Sequence, residues 1–257
     1  MFWSETTHIV GKDILRHHAV YWPAFLMAAE LELPKRIFAH GWWTNEGNKI
    51  SKSLGNVIDP INIISEYGLD QFRYFILREV PFGNDGDFSI KALKNRINSD
   101  LSNDLGNLCQ RSLSMIHKNL DGIIPSKSIH TSKENELIKK SEDIIYESID
   151  LMNNQQIHEY IKLVWILIND TNKYFNDQKP WELLKNDIDR FKAVMNNTCE
   201  LIKRIAILIY PIMPDTSYKI LNMLNLSEIE ISFSSINEYE LDNIKINPLS
   251  QLFPRID

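Results

Sequence analysis

A chain of 257 residues with 44% hydrophobic and 24% charged side chains is long enough for one large core or two ordinary ones, and too apolar to be disordered. Its net charge is −6, with 8 basic and 11 acidic groups in residues 1–90 and 20 and 23 in residues 91–257, so neither part holds a nucleic acid by bulk attraction. Two distant cysteines (Cys109 and Cys199), a polar start at Ser4 and Glu5, and a longest apolar run of Ile205 to Met213 broken by Pro211 argue against a zinc knuckle, a disulfide framework, a signal peptide and a membrane span, and fit a reducing cytoplasm.

His8 to Val10 is a short apolar run closed by Gly11, the pattern of a strand end and turn. Asp13 opens a segment with apolar residues at Ile14, Leu15, Tyr21, Trp22, Phe25, Leu26 and Ala29, a helical spacing that Pro34 is expected to end. Ile37 to Trp43 reads as a second strand, followed by turn residues from Asn45 to Asn48. Strand, helix, strand is the crossover unit of a parallel sheet. Such a sheet needs more strands than two, so the sequence reads as though it starts inside a domain.

Asp59-Pro60 opens a helix that Gly68 stops, and Gln71 to Glu79 forms another. Pro81 to Asp87 reads as a loop. Ser89 caps a long helix whose apolar residues are Ile90, Leu93, Ile97, Leu101, Leu105 and Leu108. Helices follow over 133–152, 154–176, 180–186, 187–210 and 214–225. Ile157, Ile161, Val164, Trp165, Ile168 and Phe175 form one buried stripe. From Glu228 the chain reads as loop or short strand.

One segment carries chemistry. Lys49-Ile50-Ser51-Lys52-Ser53, followed by Gly55, comes after a strand and a turn. Two lysines three apart, with serines and a glycine, make a mobile cationic loop that can close over a polyphosphate and stabilise the charge of a departing one. The five residues alone fit an ordinary surface loop equally well. With its flanks, His40-Gly41-Trp42-Trp43 before and Leu54-Gly55-Asn56 after, the stretch resembles the signature loop of class I aminoacyl-tRNA synthetases, with isoleucine for the usual methionine at Ile50, an apolar swap of similar volume.

Further segments resemble the methionyl-tRNA synthetases in particular: His8-Ile9-Val10-Gly11-Lys12-Asp13-Ile14, Trp22-Pro23-Ala24-Phe25-Leu26, Arg78-Glu79-Val80-Pro81-Phe82-Gly83, Asp85-Gly86-Asp87-Phe88-Ser89, Asp177-Gln178-Lys179-Pro180-Trp181 and Leu252-Phe253-Pro254-Arg255-Ile256. The resemblance covers essentially the whole chain, in order. It implies a mostly helical fold: an α/β remnant of a Rossmann-type catalytic domain over residues 1–90, with the lysine loop and stem-contact region, then an all-α helical bundle that binds the anticodon over residues 91–257.

The implied activity is methionine–tRNA ligation: methionine is activated by ATP, used with Mg2+, and transferred to the 3′ end of tRNA(Met). By resemblance Lys52 is the principal loop lysine on ATP, with Lys49, Ser51 and Ser53 in the same catalytic loop. Gly11 permits close approach of the nucleotide, Asp13 accepts from the ribose hydroxyls, and His40 donates to phosphate. Ile14 and His18, four apart on one helix face, are the methionine-binding pair; by itself His18 also fits a satisfied core histidine. His17, where relatives usually carry an aromatic residue, is expected to face elsewhere.

With Leu105 and Leu108 buried, Asn107, Gln110, Arg111 and Ser114 fall on the opposite face of their helix. That is usually plain solvent, but Asn107 and Arg111 match the family's anticodon-reading positions, with Trp181 as a base-stacking ring. By itself Trp181 also fits a core tryptophan. The first class I signature, His-Ile-Gly-His, is not found in this sequence, and the resemblance implies a fragment inactive alone. No zinc site and no membrane partner are expected. A free-standing tRNA-binding module and a class I synthetase for leucine or isoleucine are the competing readings.

Overall fold

The computed structural model describes residues 5–51, 53, 55–127, 130–226 and 231–256. Strands β1 (Thr7–Gly11) and β2 (Arg36–His40) run parallel, in register from Thr7↔Arg36 to Gly11↔His40. The crossover between them tightens into a 3-10 turn at Lys12–Ile14 and widens into π-type turns at His17–Tyr21. It ends as helix α1 (Trp22–Ala28). Pro34 does not stop α1. Glu30 takes a left-handed conformation (φ 53°), and the Leu31 and Glu30 amides bond back to the carbonyls of Leu26 and Met27 at 2.9 and 3.1 Å. This double bond pattern ends a helix without help from a proline.

The expected strand over Ile37 to Trp43 is two strands in two sheets. It breaks at Gly41, where a Cβ would lie 2.2 Å from the Asn84 carbonyl oxygen, so only glycine lets the 81–85 loop pass so close. After the break, β3 (Trp43–Asn45) pairs antiparallel with β4 (Asn48–Lys49) and parallel with β5 (Gly86–Phe88). The end of the expected Pro81–Asp87 loop is thus strand. Its sequence has no apolar alternation to announce it. A ladder bond from the Gly86 amide to the Trp42 carbonyl at 2.8 Å fixes it instead.

Helix α2 (Pro60–Tyr67) starts as expected, with the Asp59 carboxylate accepting from the Ile61 amide. Helix α3 (Leu69–Glu79) follows directly, two residues earlier than its apolar pattern indicated. The long helix is capped by Ser89, which accepts from the Ala92 amide at 3.1 Å. It runs from α4 (Ile90–Arg96) through ten residues of π-type turns (Ile97–Gly106) into α5 (Asn107–Asn119). The bundle continues with α6 (Ser132–Asn153), α7 (Ile157–Gln178), α8 (Pro180–Asn186), α9 (Ile188–Ile209) and α10 (Pro214–Met223). The expected stripe on α7 is inward: Ile161, Val164, Trp165, Ile168 and Phe175 are buried and Ile157 packs beside them. Beyond the bundle the chain has a short 3-10 turn at Ser234–Asn237 and a lone bridge from Lys245 to Ile123.

One apolar core runs from Ile63 to Phe253. At its corner, α3 grips both sides of the α9–α10 turn. The Arg73 guanidinium donates to the carbonyls of Ile212 and Pro211 at 2.8 and 3.0 Å, and Asp70, 4% exposed, accepts from the Thr216 amide and hydroxyl at 2.6 and 2.8 Å. The first exposed carbonyls after one helix and an orphan amide of the next are thereby satisfied. A second buried cluster ties three helices together. Glu134 at the start of α6, 1% exposed, receives the Tyr174 hydroxyl from α7 and pairs with Arg190 of α9 at 2.8 Å. Burial alone would raise the Glu134 pKa, but these donors and the Thr131 amide hold it below the usual glutamate value.

The β1–β2 unit is different. It has two strands, and Ile9, Val20, Phe25, Met27 and Leu31 are each more than half exposed. Its buried Val10 and Leu26 do not join the main core. We therefore expect hydrogen exchange to be fast at amides 7–40 and slow in α9; equal protection in the two regions would contradict this packing. Because the folded pKa of Glu134 is depressed, its contribution to stability is present above about pH 4.5 and is lost as the pH falls through the depressed value. Glu134→Gln should cost about 1–3 kcal/mol at neutral pH and flatten the acid limb of a melting-temperature profile.

Candidate functional site

The carboxyl ends of β1 and β2 bring three expected nucleotide residues to one edge. Gly11 and His40 are register partners, and Asp13 folds back so that a Cβ on Gly11 would lie 2.6 Å from its Oδ1 and 4.0 Å from His40 Cε1. The carboxyl end of a parallel pair is where nucleotides dock in open α/β sheets. The His40 ring stacks on Phe82 at 6.3 Å, and its Nδ1–H donates to the Gly41 carbonyl oxygen at 2.9 Å, which leaves Nε2 for another partner. Beside this edge lie three residues to which sequence reading gave no role. Lys12 pairs with Asp85 at 2.6 Å and stands 4.5 Å over the Trp42 ring. Trp42 donates its amide to Asp85 and its indole N–H to Asp13. The Lys12 ammonium and the Trp42 amide hold the Asp85 carboxyl below its ordinary pKa. Both Asp85 and Trp42 lay in recognised motifs, but nothing in their spacing shows that they meet.

The lysine loop leaves the β3–β4 hairpin. Lys49 is exposed at the end of β4. Ser51 and Ser53 hydroxyls are 3.1 Å apart. Lys52, the principal lysine by resemblance, lies outside the described residues. Asn56 braces the loop: its amide group donates to the Lys49 carbonyl at 3.0 Å and accepts from the Ser51 amide at 2.9 Å. Asn45 in turn holds the Asn56 carbonyl at 3.0 Å. Asp87 fastens the hairpin turn below, accepting from Thr44 at 2.5 Å and the Gly47 amide at 2.8 Å, and these donors lower its pKa. The loop is thus closed at its base, with Lys49 exposed.

Ile14 and His18 meet through the backbone, with His18 Nδ1 3.0 Å from the Ile14 carbonyl oxygen; the Ile14 side chain is 40% exposed. His18 is not a core histidine. It is half-buried and lines an open, mainly apolar groove of about 530 Å³ with His8, Tyr21, Trp22 and Phe25. His17 lines the same groove, contrary to the expectation that it faces elsewhere. The wide turns set His17 edge-on to Tyr21 at 5.6 Å, while His18 meets Trp22 at 6.1 Å, so both histidines reach one groove.

In the bundle, Asn107 and Gln110 are exposed, Arg111 and Ser114 are half-buried, and Leu105 and Leu108 are buried, the face division that the helical period requires. Arg111 donates to Asn176 at 2.8 Å and lies 5.2 Å from the Phe175 ring centre, which anchors it to the last turn of α7. Trp181 follows a left-handed Lys179 and opens α8 with 43% of its surface exposed. It is not a core residue; the turn at Lys179 buries Pro180 and leaves the indole outside. Among the described residues no group of three His, Cys, Asp or Glu is arranged to hold a metal ion, and no helix is long and apolar enough to cross a membrane.

Two family models match the chain: class I tRNA synthetases (M) over residues 1–113, and the anticodon-binding domain of methionyl-tRNA ligase over residues 124–245. A methionine–tRNA ligase of Mycobacterium leprae is 42% identical over 99% of this chain and 48% of its own length; that of Mesorhizobium japonicum is 48% identical over 87% and 43%. The structure of Mycobacterium tuberculosis methionyl-tRNA synthetase in complex with methionyl-adenylate superposes with a TM-score of 0.94 at 43% identity, covering 99% of this chain and 51% of that one. The chain spans about half the length of the relatives it matches, with an α/β catalytic remnant leading into a helical bundle in the same order, and on these grounds it belongs to the methionyl-tRNA synthetase family.

Proposed function

We propose that this chain is the phosphate-handling and anticodon-reading half of a methionine–tRNA ligase, divided near residue 90 between the two tasks. The observation that carries the reading is the parallel β1–β2 pair, which sets Gly11, Asp13 and His40 at one strand end beside the hairpin that projects the lysine loop. In the first step the methionine carboxylate attacks the α-phosphorus of ATP and pyrophosphate leaves. Asp13 accepts from the ribose, Gly11 allows the nucleotide close, and His40 donates to a phosphate oxygen. Lys49 and Lys52, with Ser51 and Ser53, neutralise charge on the departing pyrophosphate. Magnesium enters as part of the MgATP substrate, carried on the phosphate oxygens. Ile14 and His18, beside the apolar groove, receive the thioether side chain of methionine.

In the second step a 3′-terminal ribose hydroxyl of tRNA(Met) attacks the adenylate carbonyl and AMP leaves. Asn107 and Arg111 read unstacked anticodon bases by their edges and Trp181 stacks on one of them. Reading bases by amides and rings suits a chain with net charge −6, because little of the affinity is asked of bulk attraction. Both cysteines are free and buried, and burial pushes the Cys109 thiol up to about 12. Inert thiols of this kind suit a reducing cytoplasm.

In a full-length synthetase carrying this chain as its C-terminal half, Lys52→Ala should lower methionine-dependent pyrophosphate exchange by about 100-fold or more, and Asn56→Ala should lower kcat with little change in the melting temperature. Exchange left intact in Lys52→Ala would sink the assignment of the loop. Asn107→Ala and Trp181→Ala should each weaken binding of a CAU-loop RNA hairpin by about 1–3 kcal/mol and leave pyrophosphate exchange alone; a hairpin titration and an exchange assay check the two halves separately.

A further inference from the structure

Next to Asn107 lies a groove of about 750 Å³ that no expected site residue other than Asn107 enters. One wall is the long helix, with Asn103, Asn107 and Gln110; the other is the C-terminal tail, with Gln251, Phe253 and Arg255. The volume falls in the range of about 300–1,000 Å³ typical of ligand pockets. We propose that this groove is a second nucleotide pocket, which takes one unstacked base next to the base read at Asn107. The proposal rests on the anticodon reading above and extends it to the tail.

Three observations support it. The groove is preformed. The Asn98 side chain bonds the Ile256 amide and carbonyl at 2.9 and 2.7 Å, and Arg255 donates to Asn103 at 2.8 Å. The tail is thus fixed against the helix before anything binds, which lowers the ordering cost of binding. Its chemistry is that of a base edge. The side-chain amides of Asn107 and Gln251 are exposed and make no hydrogen bond among the described residues. Each offers a donor and an acceptor, the pattern that base edges present. Gln110, which also lines the groove, bonds Ser114 through its amide nitrogen at 3.1 Å, which leaves its carbonyl oxygen as an acceptor.

The charge is wrong for a phosphate track. Arg255 is the one cation among the residues that line the groove, and it is already bonded to Asn103, where a backbone-binding groove would need several. The third observation is position. The π-type turns end at Gly106, immediately before Asn107, and such turns often mark functional positions. Asn107 therefore belongs to both surfaces, one turn from Arg111. A loop nucleotide seated at Asn107 has its neighbour within reach of the tail.

The test uses the chain itself and a fluorescent RNA hairpin with a CAU loop, against a hairpin of the same stem with a scrambled loop. Gln251→Ala should weaken binding of the CAU hairpin by about tenfold, the worth of one well-made hydrogen-bonded contact, without shifting the melting temperature. The slope of log Kd against log salt should stay as in the wild type. A 2-aminopurine placed at successive loop positions should report a changed environment in Gln251→Ala at one position only. If Asn107→Ala weakens binding while Gln251→Ala and every 2-aminopurine position match wild type, the tail pocket is wrong and the anticodon reading stands. A shallower salt slope in Gln251→Ala would show a backbone contact and overturn the base pocket. If the wild-type chain does not prefer the CAU hairpin over the scrambled one, both readings fall together.

Discussion

Seventeen of the 22 residues of α9 are withdrawn from water, and most other parts of the bundle are placed by how they meet this helix. A helix buried on all sides is a core element, not an amphipathic surface one. Each buried aliphatic side chain contributes on the order of 1.5–3 kcal/mol. The polar side chains among them are a cost unless they find partners. Asn196, Lys203 and Arg204 find them in other parts of the chain, Thr198 donates to the Val194 carbonyl within the helix, and the buried Asn197 amide makes no hydrogen bond among the described residues. Asn196 donates to the carbonyls of Pro125 and Leu241 at 2.7 Å, Lys203 donates to the Tyr239 carbonyl, and Arg204 reaches Ser141 on α6 and Asn237 in the tail. Lys203 and Arg204 also share Glu200 at 2.9 and 2.8 Å. Desolvation lowers the Lys203 pKa and Glu200 works against it. Pairs of this kind add little net stability, but breaking one leaves the other charge stranded. Their effect is to dictate where an otherwise irregular tail must run, and the tail in turn builds the wall beside Asn107.

The helices were legible in the sequence because their signals are local. Asp59-Pro60, Ser89 and the apolar stripe of α7 declare themselves within a few residues. The strands were less so. A break at Gly41 follows from the approach of Asn84, 43 positions later, and β5 exists because it pairs with β3; neither is a property of a local window. Pro34 is a plausible terminator that arrives after a left-handed Glu30 has already ended α1.

The candidate site divides the same way. Residues that a motif carries, such as Lys49, Gly11 and Asn107, could be named from spacing and resemblance. Residues that act by meeting a distant partner could not. Asn56 supports the lysine loop, and the Lys12–Asp85 pair sits beside the carboxyl ends of β1 and β2, yet both connect through side-chain contacts that the linear order hides. His17 is of a type that departs from relatives, and nothing in the sequence gives it a role. The π-type turns at His17–Tyr21, which no hydrophobic period signals, bring it into the groove with His18.

The grip of α3 on the α9–α10 corner has a geometric consequence. Arg73 and Asp70 are about one helical turn apart, and one holds the strut as it ends while the other holds the helix that departs from it. Any swing of that elbow would have to tear out a guanidinium and a buried carboxylate together. The corner is therefore a locked joint, and α3 can shift only as one piece with the two helices it holds.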